Sequence, residues 1–169
     1  MIDIDLDYYL LEVDNKYTAP LLVNDYDVDP EGIDIYSIES LEKTLAHLTF
    51  NEPIPKTPQM VDYLHFECRA VFSKKICNAF KGTSVNGLQF IPTIITDEKG
   101  EEYKDYWIAN VYNEYAFLDP EESERKGSIN SRGRWSMIIR MVIDTSLIKK
   151  VPLLEERLVF VPTEGPGYV

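Results

Sequence analysis

The sequence predicts an α+β domain: a curved antiparallel or mixed sheet with two or three short helices. Three observations point there. The chain has 169 residues, 44 % of them apolar, which suits one domain with a substantial core. Eleven Tyr and seven Phe favour sheet, because flat side chains pack well on a pleated surface. Stretches of period-two alternation are interrupted by shorter stretches with helical spacing.

The period-two signal comes first. Ile2, Ile4, Leu6, Tyr8 and Leu10 alternate with Asp3, Asp5, Asp7 and Tyr9, as in a strand with one buried and one acidic face. Leu21 to Val23 is a second apolar touch. Ile38, Leu41, Leu45 and Leu48 recur at spacings of three and four, predicting an amphipathic helix with Ser37 as N-cap. Pro53, Pro55 and Pro58 stop any helix and hold the chain extended. The sequence therefore divides into an N-terminal lobe over residues 1–58 and a helix-plus-sheet lobe over residues 59–169, packed as one unit.

In the second lobe Ser73 caps a short helix, with Phe72 and Cys77 placed as a hydrophobic staple and Gly82 as the C-terminal stop. After the Asn86-Gly87 turn, Leu88 to Thr96 reads as a buried strand and Asp97 to Gly100 as a loop. Tyr103 to Tyr115 returns as the hairpin partner. Pro92 implies a strand edge or a bulge. Asp119 to Arg134 is polar without apolar periodicity and reads as a surface loop. Trp135 to Ile143 alternates again, Leu158 to Val161 adds a last strand, and Thr163 to Val169 reads as a disordered tail.

Charge narrows the function classes. Twenty-nine acids against 17 bases give a formal net charge of −12. Phosphate backbones and anionic membrane surfaces bind through Lys and Arg, so nucleic acid and membrane are unfavoured partners. No apolar run approaches the roughly 18 residues of a membrane span. Three acids stand in the first seven residues, where an export signal places cations, and the first base is Lys16, so a cytoplasmic location is expected. The two cysteines, Cys68 and Cys77, read as reduced core residues.

Several residue groups invite chemistry. Asp27, Asp29, Glu31 and Gly32 match positions one, three, five and six of an EF-hand loop, but position twelve is Ile38 instead of a bidentate Glu. The acidic stretch is then a solvated loop or a partner-facing patch. His65, Cys68 and Cys77 lack the fourth, tightly spaced ligand of a structural zinc site. A nucleophile built on Cys77 and His65 is the remaining enzymatic reading, opposed by the expected burial of a staple cysteine. Acids crowd Asp97, Glu98, Glu101, Glu102 and Asp105, and again Glu121, Glu122 and Glu124, in turns where they stay hydrated and ionised. Arg125, Lys126, Arg132 and Arg134 form a basic cluster without the strand-loop-helix frame of a phosphate site.

From Asp62 onward the order of elements resembles a bacterial family first filed as a domain of unknown function and now grouped with the immunity proteins of polymorphic toxin systems. The residues that carry it are Val71-Phe-Ser-Lys-Lys-Ile76, Val85-Asn-Gly-Leu-Gln-Phe-Ile-Pro92, Gly100-Glu-Glu-Tyr103, Tyr106-Trp-Ile-Ala-Asn-Val111 and Leu118-Asp119. Tyr8-Tyr-Leu-Leu-Glu12, and Val142-Ile-Asp144 with a strand after it, add to it. The resemblance is strongest over residues 62–124. Members often repeat the helix-turn-strand unit of residues 72–92 near the C-terminus, and no such repeat is visible here. The resemblance implies a non-catalytic protein, without cofactor or metal, that binds and neutralises a cognate toxin. A basic toxin would suit the charge. Candidate contacts are Asp25, Asp27, Asp29, Glu31 and Asp34, with Glu121, Glu122 and Glu124 second. Two other readings remain open: an accessory or chaperone-like binder of a basic effector, and an enzyme with a pocket around Cys77 or His65.

Overall fold

Leu22, Leu48, Leu64, Val71, Ile91, Ile95 and Ile108 are all fully or almost fully buried, and they meet across neighbouring strands. The computed structural model describes residues 18–34, 40–67, 69–81, 87–112, 114–116, 118–129, 135–140, 142–148 and 161–162. Six strands close into a barrel: β1 (Leu21–Asn24), β2 (Ala46–Phe50), β3 (Tyr63–Phe66), β4 (Arg69–Ser73), β5 (Leu88–Thr96) and β6 (Glu102–Val111). Their order around the wall is β1-β2-β5-β6-β4-β3. Each contact places one inward residue beside another: Leu22 beside Phe50, Leu48 beside Ile95, Ile91 beside Ile108, Ile108 beside Val71, Val71 beside Leu64, and Leu22 beside Phe66. The β2–β5 and β3–β1 pairings are parallel and the others antiparallel. A barrel this narrow is filled by its own side chains.

The α+β expectation is thereby corrected. Strands hold 46 % of the described residues and helices 8 %, so the fold is mostly β. The helices are short: α1 (Lys74–Ala79) and the single turn α2 (Thr145–Ile148). The largest departure is the helix expected over Ile38 to Leu48. Ser37 and Ile38 lie outside the described residues, residues 40–45 are irregular, and residues 46–50 form β2. The reason is a competing period. Ala46, Leu48 and Phe50 all point into the barrel while His47 and Thr49 alternate with them, and β2 finds hydrogen-bonding partners on both sides. Two ladders and a buried face outweigh a weak helical preference. Leu41 still packs on the core, from an irregular segment, and Leu45 is left 39 % exposed.

Strands from both sides of the proline-rich stretch share the barrel wall. That stretch is held at Thr18, whose hydroxyl donates to the Thr57 carbonyl (2.8 Å) and whose carbonyl accepts from the Gln59 N–H (3.0 Å).

The hairpin of β5 and β6 forms as its sequence indicates, and the register slips between Thr93 and Ile95, next to Pro92. The second arm ends at Val111 rather than Tyr115; Glu114–Tyr115 forms β7 and pairs in parallel with β10 (Val161–Pro162). Outside the barrel, Tyr63, Ala70, Phe72 and Ala109 make a second apolar cluster, covered in part by Ile76 and Cys77 of α1 and by Phe90. Ser73 is the N-cap of α1, but its hydroxyl donates to Asp62 Oδ1 (2.7 Å) instead of accepting a helix N–H. Asp144 leads into α2, not a strand.

Asp119 to Arg134 is not a plain loop. Glu124–Ile129 forms β8, paired antiparallel with β9 (Trp135–Arg140). All six β8 residues are exposed, so neither face carries an apolar period that the sequence could reveal. The guanidinium of Arg125 lies 5.4 Å from the centre of the buried Trp135 ring. The expected strand at Ile2 to Leu10, the Gly82 stop, Leu158 to Phe160 and the C-terminal tail lie outside the described residues.

The two registers proposed for residues 38–48 separate by mutation. Leu48→Ala is expected to lower the stability measured by urea unfolding by about 2–5 kcal/mol, and Leu45→Ala by less than about 1 kcal/mol. Similar losses at both positions would favour a helical stripe.

Candidate functional site: an acidic turn at one end of the barrel

β1 stops at Asn24 because the Asn24 side chain turns back on the chain that follows. Its Oδ1 accepts the Ile33 N–H (2.9 Å), and its Nδ2 donates to the Ile33 carbonyl (3.3 Å) and to the Tyr26 hydroxyl (3.2 Å). A buried side chain thus plays the part of a ladder partner and clamps residues 24 and 33 together. Within the clamp, the Val28 and Asp29 N–H groups both donate to the Asp25 carbonyl (3.2 and 2.8 Å), and Gly32 N–H donates to the Asp29 carbonyl (3.0 Å). Gly32 has φ +56, and a Cβ there would lie 2.9 Å from both Asn24 Cγ and Tyr26 Cε1. Only glycine fits.

Three further ties hold this turn to the barrel. Asp25 N–H donates to the His47 carbonyl (2.9 Å), Arg69 Nη2 donates to the Asp34 carbonyl (3.2 Å), and Lys43 Nζ forms an ion pair with Asp29 (2.6 Å). The Lys43 ammonium, hydrogen-bonded to Asp29, holds that carboxyl below its ordinary 3.8. Asp29 is accordingly engaged within the molecule. Asp25 is half-buried and accepts the Val28 N–H, while Asp27, Glu31 and Asp34 are exposed. Tyr26 and Val28 are exposed between them, at 61 % and 59 %.

Beneath the turn the barrel ends in polar side chains at inward positions. Arg69 opens β4, Asn110 lies near the end of β6, and Gln89 is the second residue of β5. Arg69 Nη1 donates to Asn110 Oδ1, and Asn110 Nδ2 donates to Gln89 Oε1 (3.3 Å). Gln89 also pairs with the backbone of Leu41, accepting its N–H (2.8 Å) and donating to its carbonyl (2.7 Å). Asn110 is fully buried and Arg69 is 5 % exposed. Sequence reasoning missed this group. Its signal is a polar residue at an inward-facing position where an apolar strand ends.

The second set of candidate acids lies on other elements. Asp119 Oδ1 accepts the Glu121 and Glu122 N–H groups (2.8 and 2.9 Å), turning the chain into β8. Glu122 and Glu124 then face Arg140 at 3.7 and 3.6 Å, so part of that charge is balanced locally. Asp97, at the tip of the β5–β6 hairpin, uses its carboxylate to accept the Lys99 and Glu101 N–H groups (2.9 Å each). The strand directions put that tip at the opposite end of the barrel from residues 25–34.

The basic cluster is split, with Arg125 and Lys126 on β8 and Arg132 and Arg134 outside the described residues. The Cys77 thiol contacts the Phe72 carbonyl (3.9 Å), and burial pushes it up to about 11. Burial likewise lowers His65, which meets the Tyr63 ring edge-on at 5.2 Å. At about 11, the Cys77 thiol stays protonated near neutral pH. Cys68 lies outside the described residues. Among the described residues, no three His, Cys, Asp or Glu side chains are grouped to hold a metal ion, and no helix is long and apolar enough to cross a membrane.

The family described as Immunity protein family (Imm11) matches residues 17–167. The chain belongs to the Imm11 immunity proteins. The match reaches beyond residues 62–124, where the resemblance is strongest, and takes in both the barrel and the β8–β9 ribbon. No curated protein matches the chain. Imm11 membership makes the protein an immunity protein by family.

Two measurements probe this region. Asp29 has a folded pKa depressed by Lys43, so its contribution to stability is present above 3.8 and fades as pH falls through the lower folded value. Asp29→Asn should cost about 1 kcal/mol at pH 7 in urea unfolding, and the difference from the wild type should shrink as the pH is taken below 3.8. Cys77, in a Cys68→Ser background, should react with a maleimide about 100-fold more slowly in the native than in the urea-unfolded chain, because its thiolate is suppressed from 9.0 to about 11.

Proposed function

We propose that this protein binds a cognate protein toxin in the bacterial cytoplasm and blocks it without catalysis, as part of a polymorphic toxin system. The observation that carries the reading is the Imm11 match over residues 17–167. Charge supports a basic toxin: at −12, the protein gains electrostatic steering toward a cationic surface and can occupy a groove shaped for phosphates. The turn at residues 25–34 supports the place of contact. Its backbone is held by buried hydrogen bonds, so little ordering entropy is lost when Asp27, Glu31 and Asp34 meet a partner. Asp25 and Asp29 act in this reading by shaping the turn. Glu121, with Glu122 and Glu124 tempered by Arg140, forms a secondary contact.

Co-expression tests the proposal. Cells making the toxin encoded beside this gene should grow only when this protein is also made, and absence of rescue would reject the reading. Replacing Asp27, Glu31 and Asp34 together by Asn, Gln and Asn should lower the association rate about 10-fold at low salt and flatten its salt dependence.

A further inference from the structure

Tyr26 is held in an unusual way for a tyrosine. Buried rings are fixed by packing, yet this residue is 61 % exposed. It is fixed at its hydroxyl end instead. The hydroxyl accepts a hydrogen bond from Asn24 Nδ2 (3.2 Å), and the ring edge lies over Gly32, with Cε1 2.9 Å from the point a Cβ would occupy. Asn24 itself is 6 % exposed and pinned by Ile33. The ring is therefore tethered to the barrel while much of its surface faces solvent. Val28, two residues on, is 59 % exposed. Asp25 and Asp27 flank the ring in sequence, and Glu31 and Asp34 follow in the same turn.

Resting on the toxin-binding reading, we propose that Tyr26 is the aromatic anchor for an arginine side chain of the basic partner protein. The face of a phenol ring carries negative electrostatic potential and attracts a cation lying over it. Arginine fits better than lysine, because its planar, weakly hydrated guanidinium stacks on the ring while its outer N–H groups reach a carboxylate. Asp27 and Glu31 supply carboxylates on the same turn, and Val28 gives the arginine stem an apolar surface. The tether matters because a preorganised ring loses no rotamer freedom on binding. The acids of the turn govern approach, and Tyr26 governs residence.

The test uses the full chain and the toxin encoded beside this gene, followed by surface plasmon resonance. Tyr26→Ala should raise the dissociation rate at least 10-fold with the association rate nearly unchanged, while Tyr26→Phe, which keeps the ring face but removes the hydroxyl tether to Asn24, should fall between the alanine variant and the wild type. Unfolding midpoints in urea establish that each variant is folded. Should the alanine variant fail to fold, Tyr26→Lys replaces it, and the added cation should weaken binding further. Pairing the Tyr26 variant with toxin Arg→Ala substitutions should show non-additivity of at least 5-fold for one arginine. Unchanged dissociation in folded Tyr26 variants, or additivity with every toxin arginine, overturns the anchor while leaving toxin binding intact. No binding by the wild-type protein overturns the functional reading itself.

Discussion

The meeting of β1 with β3 is the contact on which the rest of the barrel depends. It is short, with Leu21 beside His65 and Leu22 beside Phe66, and it is parallel. Without it the six strands would form an open sheet with two unpaired edges, and Leu22 and Phe66 would lose the opposite wall that buries them. Full burial of side chains of this size contributes about 1.5–3 kcal/mol each. Closure also removes the edges at which another extended chain could add. The alternation of inner and outer residues in β2, β4 and β6 follows from the closed wall, and so does the second apolar cluster beneath α1.

The two ends of this barrel differ chemically. At the end where β1 and β6 finish, the interior is capped by Asn24, Arg69, Gln89 and Asn110. Their hydrogen bonds run to loop backbone at Ile33, Asp34 and Leu41, so the polar cap secures the connections that cross it. Satisfied polar groups at low dielectric fix geometry more sharply than apolar contacts do, because a shifted partner leaves a desolvated group unmatched. At the other end, Asp62 accepts from Ser73 and Lys75, and its carboxyl is held low chiefly by Lys75. That end anchors the start of α1.

Much of this was legible in the sequence wherever one face of an element is apolar and its pairing is local. The β5–β6 hairpin is the clearest case, with its strand, turn and return arm in the expected order and a register slip beside Pro92. β2 was misread because Leu41, Leu45 and Leu48 happen to fit a helical spacing, and its partners, β1 and β5, are distant in sequence. β8 was invisible because a strand exposed on both faces carries no hydrophobic period. In the acidic turn, the residues were evident but their division of labour was not. Asp29 and Asp25 shape the turn while Asp27 and Glu31 face outward, and that division depends on Lys43 and His47, which nothing in the local sequence pairs with them.

The long sequence separations in the barrel wall carry a consequence for how the protein is made. β5 and β6 meet across a five-residue loop, whereas β2 reaches β5 through Ala46 and Thr93, and β4 reaches β6 through Ala70 and Ala109. Loop closure and long-range pairing come late in folding when contacts are this remote. A nascent chain that has passed residue 34 therefore already contains every residue of the acidic turn but not the wall that holds it. The barrel wall beneath the turn is complete only once β6, ending at Val111, has been made. Any surface that relies on the closed barrel is therefore complete only well after its own residues have been made.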